Sequence, residues 1–180
     1  SFDNYIGFWQ SYKYFVDNWN ILKEEINLEK FNTDPETLNL INISNSISVH
    51  VRRGDYINNL KVSAFMGNLK LDYYNYAIHL VNKQIKNPIF FFFSDDIEWV
   101  KNNFNGKNFF FVENSYDNFK LPFKDLLLMK NCKHNIIANS SFSWWGAWLN
   151  ENPNKIIFAP EYWTSKIKTS TTDLIPKEWK

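Results

Sequence analysis

The chain has 180 residues, 44% of them hydrophobic and 19% aromatic, which suits one domain, or one large lobe of a two-lobed protein, with an ample core. A formal net charge of +1, with no basic run or stripe, excludes a broad electrostatic footprint for nucleic acid. The single cysteine, Cys132, excludes an intrachain disulfide framework and a Cys-rich metal site. Along the chain, Phe15, Trp19, Leu22 and Ile26 recur at helical spacing, so an amphipathic helix is expected from Phe8 to Leu28. Thr33-Asp34-Pro35 then opens a short second helix, with Asp34 as N-cap and Pro35 at the first helical position.

After this helical segment, residues 1–45, a regular lobe is expected over 46–180. Ile47, Val49 and Val51 alternate with Ser48, His50 and Arg52 as a strand does. Tyr74, Ala77, Ile78, Val81 and Ile85 share one helix face, and Ile89 to Phe93 is a continuous apolar strand. Asp95 or Asp96 caps a helix through Trp99 and Val100. A strand over Phe109 to Val112, a helix over Phe123 to Met129 and a strand over His134 to Ala138 come next. A helix over Phe142 to Leu149 and a strand over Lys155 to Ala159 complete the series. Helices alternating with such apolar strands predict an α/β fold, a doubly wound parallel sheet covered on both faces. Ligands of such sheets sit outside the carboxyl ends of the strands, near the switch in strand order.

No apolar run approaches the roughly 18–20 residues of a membrane span; the longest, Pro88 to Phe93, is strand-sized. Neither a signal-peptide pattern nor an initiator Met opens the chain, which reads as a piece of something longer. Asn-x-Ser/Thr sequons occur at Asn42 and Asn139, the second in a loop assigned to ligand binding.

Three strand ends carry the chemistry. Arg52 and Arg53 are the only arginines, in a chain that otherwise uses lysine. A guanidinium is a rigid fork of donors suited to phosphate or carboxylate, where lysine is a flexible point charge. Two readings stand: Arg52, and with it Arg53, contacts a pyrophosphate, or an arginine makes a structural ion pair with Asp55 or Asp95. At period two His50 and Arg52 share a face and Arg53 points away, unless Gly54 breaks the strand. Ser94-Asp95-Asp96 offers one carboxylate for a guanine edge and one for a helix cap. Asn139-Ser-Ser-Phe-Ser143 places small hydroxyl residues at a helix N-terminus, whose N–H groups and dipole favour phosphate or accept an ordinary serine cap. Trp144, Ala147 and Trp148 lie on one face, as core helices do. Walker, dinucleotide-binding and nucleophile-elbow motifs are absent.

Together, His50-Val-Arg-Arg-Gly-Asp-Tyr56, Phe93-Ser-Asp-Asp96, Asn139-Ser-Ser-Phe-Ser-Trp-Trp-Gly-Ala-Trp148 and Ile157-Phe-Ala-Pro160 resemble the family 11 glycosyltransferases, the alpha-1,2-fucosyltransferases. The resemblance implies a GT-B architecture of two Rossmann-like lobes. It implies inverting, metal-independent transfer of fucose from GDP-L-fucose, with no further cofactor, to the 2-hydroxyl of a galactose-containing glycan. By position, Arg52 would hold the β-phosphate, His50 and Asp95 the guanosine end, and Ser140, Ser141, Phe142 and Ser143 the phosphate loop. Arg52, Arg53 and Asp55 form the implied catalytic group, with Asp55 the candidate base by charge and proximity. The Gly-Gly-Leu-Gly-Asn-Gln loop with which such proteins usually begin is absent, so the chain reads as the donor-binding portion. A non-catalytic GDP- or GDP-sugar-binding module is the alternative, and a structural α/β domain with an internal arginine ion pair is the third. The expected compartment is the cytoplasm, with peripheral contact at the inner membrane face.

Overall fold

The structure, a computed structural model, describes residues 11–113, 122–165 and 173–179. Five parallel strands form one sheet: β1 (Asn45–Val51), β2 (Pro88–Ser94), β3 (Phe109–Phe111), β4 (His134–Ile136) and β5 (Ile157–Phe158). Their spatial order is β3-β2-β1-β4-β5, so the chain grows outward from β1 in one direction and then restarts on its other side. The switch in strand order therefore falls between β1 and β4, where an open parallel sheet leaves a crevice beyond its carboxyl edge.

Eight α-helices lie among the described residues: α1 (Trp19–Glu25), α2 (Pro35–Ile43), α3 (Gly54–Asn58), α4 (Leu60–Met66), α5 (Leu71–Gln84), α6 (Ile97–Asn103), α7 (Phe123–Asn131) and α8 (Ser141–Trp148). The all-phenylalanine centre of β2 shows how both faces are covered. Phe90 and Phe92 join Tyr74, Ala77, Ile78 and Val81 of α5 and Val100 of α6. Phe91 and Phe93 join Ile41 of α2 and Leu126, Leu127, Leu128 and Met129 of α7. All four rings are fully buried; truncating one such ring typically costs about 3–5 kcal/mol. The two-sided cover expected of the sheet is what the structure has.

In β1 the alternation has a different meaning from the usual core-and-solvent one. Ile47, Val49 and Val51 enter the α5 core, but Ser46, Ser48 and His50 are buried as well. The serines are satisfied from β4 and its approach: Asn135 Nδ2 donates to Ser48 Oγ at 2.7 Å, and the Lys133 N–H to Ser46 Oγ at 3.1 Å. Asn150 Nδ2 in turn donates to Asn135 Oδ1 at 2.8 Å, extending a buried polar chain beneath the sheet. Such groups stay buried because each finds a partner.

One expectation needs correction. The helix expected from Phe8 to Leu28 is α1 alone, preceded by 3-10 turns at Tyr12–Tyr14 and Val16–Asn18, and residues 8–10 lie outside the described residues. Phe15 stacks on Trp145 at 5.1 Å and Tyr12 on Trp148 at 5.4 Å, so α8 dictates the winding here against local periodicity. The α2 cap is as expected, with Asp34 Oδ2 accepting from the Thr37 N–H at 2.8 Å and Pro35 in the first turn. Among the described residues no helix is long and apolar enough to cross a membrane.

Candidate active site

The β1–β2 register pairs Val51 with Ser94, so the residues that follow, Arg52 and Asp95, leave the sheet side by side. Arg52 Nη1 lies 2.9 Å from Asp95 Oδ2, while Nε and Nη2 donate to Asp55 Oδ1 at 3.1 and 2.7 Å. The guanidinium also rides 5.7 Å from the centre of the Tyr56 ring. Two carboxylates and an aromatic face thus fix its fork, yet its side chain stays 32% exposed. The pyrophosphate and ion-pair readings of the sequence are therefore compatible: the same arginine makes both acidic contacts and lines an open crevice.

That crevice, of about 1030 Å³, reaches from His50, Arg52, Ser94 and Asp95 to Ser140, Ser141 and Phe142 at the start of α8. It matches the upper range of small-molecule sites, roughly 300–1,000 Å³. Ser140 holds the N-cap position of α8 in extended conformation, but its side chain caps nothing. The first turn of α8 therefore offers N–H groups and the positive end of its dipole without a side-chain cap, as an anion site requires.

The two acids after β2 divide the tasks left open by the sequence. Asp96 Oδ1 accepts from the Trp99 N–H at 3.2 Å and caps α6. Asp95 faces the crevice and accepts the Arg53 N–H at 2.8 Å. Gly54 is required at this point for space rather than for backbone freedom, since a Cβ there would stand 2.4 Å from Asp95 Oδ2. The expected break does occur at Gly54, where α3 begins.

Two expected site residues stand elsewhere. Arg53 does not line the crevice: its Nε pairs with Asp96 Oδ2 at 3.0 Å and its guanidinium stacks 3.7 Å from the Trp99 ring centre. Its side chain thereby ties the loop after β1, which carries Arg52, to the start of α6. Ser143 is 1% exposed and faces inward, where its Oγ accepts from the Ala138 N–H at 3.2 Å and closes the turn after β4. A hydroxyl at the third position of α8 serves that turn and not the crevice.

His50 is 4% exposed and lines the crevice, its ring 5.5 Å from that of Phe142. Its Nδ1 has no hydrogen-bond partner among the described residues. Burial, and secondarily the Arg52 charge, pushes its pKa from the ordinary 6.5 down to about 3. The imidazole is therefore neutral in the folded protein, while the unfolded chain protonates below pH 6.5. Folded stability attributable to His50 is complete above pH 6.5 and is lost as pH falls from there towards 3. Urea unfolding should show on the order of 2 kcal/mol less stability from this source at about pH 5 than at about pH 7. His50→Gln should flatten that part of the slope; an unchanged slope would contradict the assignment. His134, lowered in pKa by burial, adds a slope of the same sign that the variant keeps.

Sequence reasoning missed a whole wall of the crevice. Tyr56 of α3 lines it and donates its hydroxyl to the Asn139 carbonyl at 2.8 Å; burial raises its pKa to about 12. Lys61, Val62, Phe65 and Met66 of α4 line it too, as does Trp163. Val62, Phe65 and Met66 do recur at helical spacing, so a signal was available. Asn139 holds the wall together, with Nδ2 donating to the carbonyls of Met66, Gly67 and Trp163 at 3.0, 3.3 and 3.1 Å. The tryptophans of α8 pack as core, Trp144 stacking on Trp148 at 5.3 Å.

The profile of Glycosyl transferase family 11 matches residues 1–180. The chain belongs to this family. Among curated family 11 relatives, an alpha-1,2-colitosyltransferase of Escherichia coli is 38% identical over 179 residues, 97% of this chain and 61% of the relative. The O-antigen biosynthesis glycosyltransferase WbnK of Escherichia coli is 45% identical over 121 residues, 67% of this chain and 39% of the relative. A galactoside 2-alpha-L-fucosyltransferase, SEC1 of Bos taurus, is 30% identical over 107 residues, 59% of this chain and 29% of the relative. The chain thus spans between 29% and 61% of the length of these family 11 proteins. No solved structure matches it significantly. Among the described residues no three His, Cys, Asp or Glu side chains converge in a way that could hold a metal ion.

Proposed function

We propose that the crevice binds GDP-L-fucose and that the protein transfers L-fucose, with inversion, to the 2-hydroxyl of a galactoside. The observation that carries this reading is Arg52, fixed by Asp55 and Asp95 and open to a crevice whose far side is the uncapped first turn of α8. As the bond from the anomeric carbon to the β-phosphate oxygen breaks, its electron pair leaves with GDP. The acceptor oxygen forms the new bond from the opposite face and its proton passes to a base. Negative charge grows on the departing diphosphate, so a preorganised guanidinium and helix N–H groups act most strongly in the transition state. In this reading Asp55 orients Arg52, and no metal or other cofactor takes part.

Calorimetry with GDP, then incubation with GDP-L-fucose and lactose, tests the proposal. Expected are saturable GDP binding, a fucosylated product with release of GDP, and no loss of activity with a chelator. Absence of heat at millimolar GDP would remove the nucleotide-sugar reading and leave a structural ion pair. Binding without product would favour a GDP-binding module. The 38% identity to a colitosyltransferase across 97% of this chain supports one second reading, an activated colitose donor at the same crevice. Competition between the two donors distinguishes them.

A further inference from the structure

We infer that Lys61 is a second diphosphate-binding residue, meeting the phosphates from the α4 wall while Arg52 meets them from the end of β1. The inference rests on the nucleotide-diphosphate reading above and assigns a residue to its charge. Among the described residues the crevice lining holds two basic side chains besides His50, Arg52 and Lys61, against three carboxylates, Asp55, Asp95 and Asp125. Arg52 is shared between Asp55 and Asp95, so much of its charge is already compensated. Lys61 makes no ion pair among the described residues. A diphosphate brings at least two negative charges into this lining, and a cation not already claimed is what offsets them.

The placement of Lys61 is hard to explain by the helix that carries it. It lies in the first turn of α4, just after the Asn59 cap, whose Oδ1 accepts from the Lys61 N–H at 3.0 Å. That end of a helix is the positive end of its dipole, so local energetics favour an acid there and disfavour a lysine. Its helix is also pinned. Gly67 leaves α4 at a φ of +70°, and Ser165 bonds back to it, through its N–H to the Phe65 carbonyl at 2.9 Å and its hydroxyl to the Ala64 carbonyl at 2.8 Å. A flexible, strongly hydrated ammonium on a fixed helix can follow the phosphates without moving the backbone.

Titrations of the wild type, Lys61→Gln and Lys61→Arg with GDP and with guanosine, alongside thermal melts, test this. A charge-assisted contact predicts that Lys61→Gln weakens GDP by about tenfold or more. Guanosine affinity and melting temperature should stay as in the wild type, and Lys61→Arg should keep most of the GDP affinity. GDP affinity retained within about twofold, or equal losses for GDP and guanosine, would overturn the assignment. A wild-type protein that binds neither compound overturns the nucleotide reading itself, a result distinct from a wild type that binds GDP and a variant that binds it equally.

Discussion

Arg52→Lys is expected to lower transfer by about 100-fold or more while the protein stays folded, because a transition-state donor of this kind is worth that much. Lysine keeps the charge but not the fork. Arg52 uses Nε, Nη1 and Nη2 at once on Asp55 and Asp95, and a single ammonium cannot span both acids and still present donors to a phosphate. The ion pairs themselves are half-exposed and contribute little to folding, so the melting temperature should move by only a few degrees. Steady-state kinetics with GDP-L-fucose, checked against a thermal melt, reads both effects. Transfer within a few fold of wild type would show that Arg52 holds the loop and not the donor.

Gly54→Ala is the second large effect expected, and it acts through Asp95. The added Cβ would stand 2.4 Å from Asp95 Oδ2 and 3.2 Å from its Cγ, closer than any methyl group can sit. The carboxylate cannot simply swing aside. It is held by the Arg53 N–H at 2.8 Å and by Arg52 at 2.9 Å, and an aspartate side chain is short. Displacing it removes the Nη1 anchor of Arg52 and leaves Asp55 alone to hold the fork. Donor binding and turnover should therefore fall by roughly tenfold or more, the scale of one lost charge-assisted contact. The test is a double-mutant cycle. Asp95→Ser removes the obstacle, so Gly54→Ala should cost far less activity in that background than in the wild type. Additive losses would mean that the glycine is needed for something other than the approach of Asp95.

Where the sequence succeeded, short-range patterns were enough. Asp34 before Pro35, the α5 face of Tyr74, Ala77, Ile78 and Val81 with Ile85 at its C-cap, and the phenylalanine run of β2 each carry their own local signature, and the structure has each element in place. Where it fell short, a distant partner decided. Tyr12 and Phe15 follow the aromatic surface of α8 and not the period of their own segment. The first half of a motif is also not the same as a site. Arg53 and Ser143 sit beside true lining residues in the chain, yet alternation and turn closure send their side chains to Asp96 and Ala138.

The family, the parallel α/β plan and the strand ends that line the crevice were all readable from the chain itself, because periodicity and short motifs are properties of neighbouring residues. Which side chains share the crevice was settled by the tertiary structure alone. The β1–β2 register sets Arg52 beside Asp95, and Asn139 draws α4 and Trp163 against the start of α8. These meetings join residues far apart in sequence, and only the packed sheet and helices bring them within hydrogen-bonding distance.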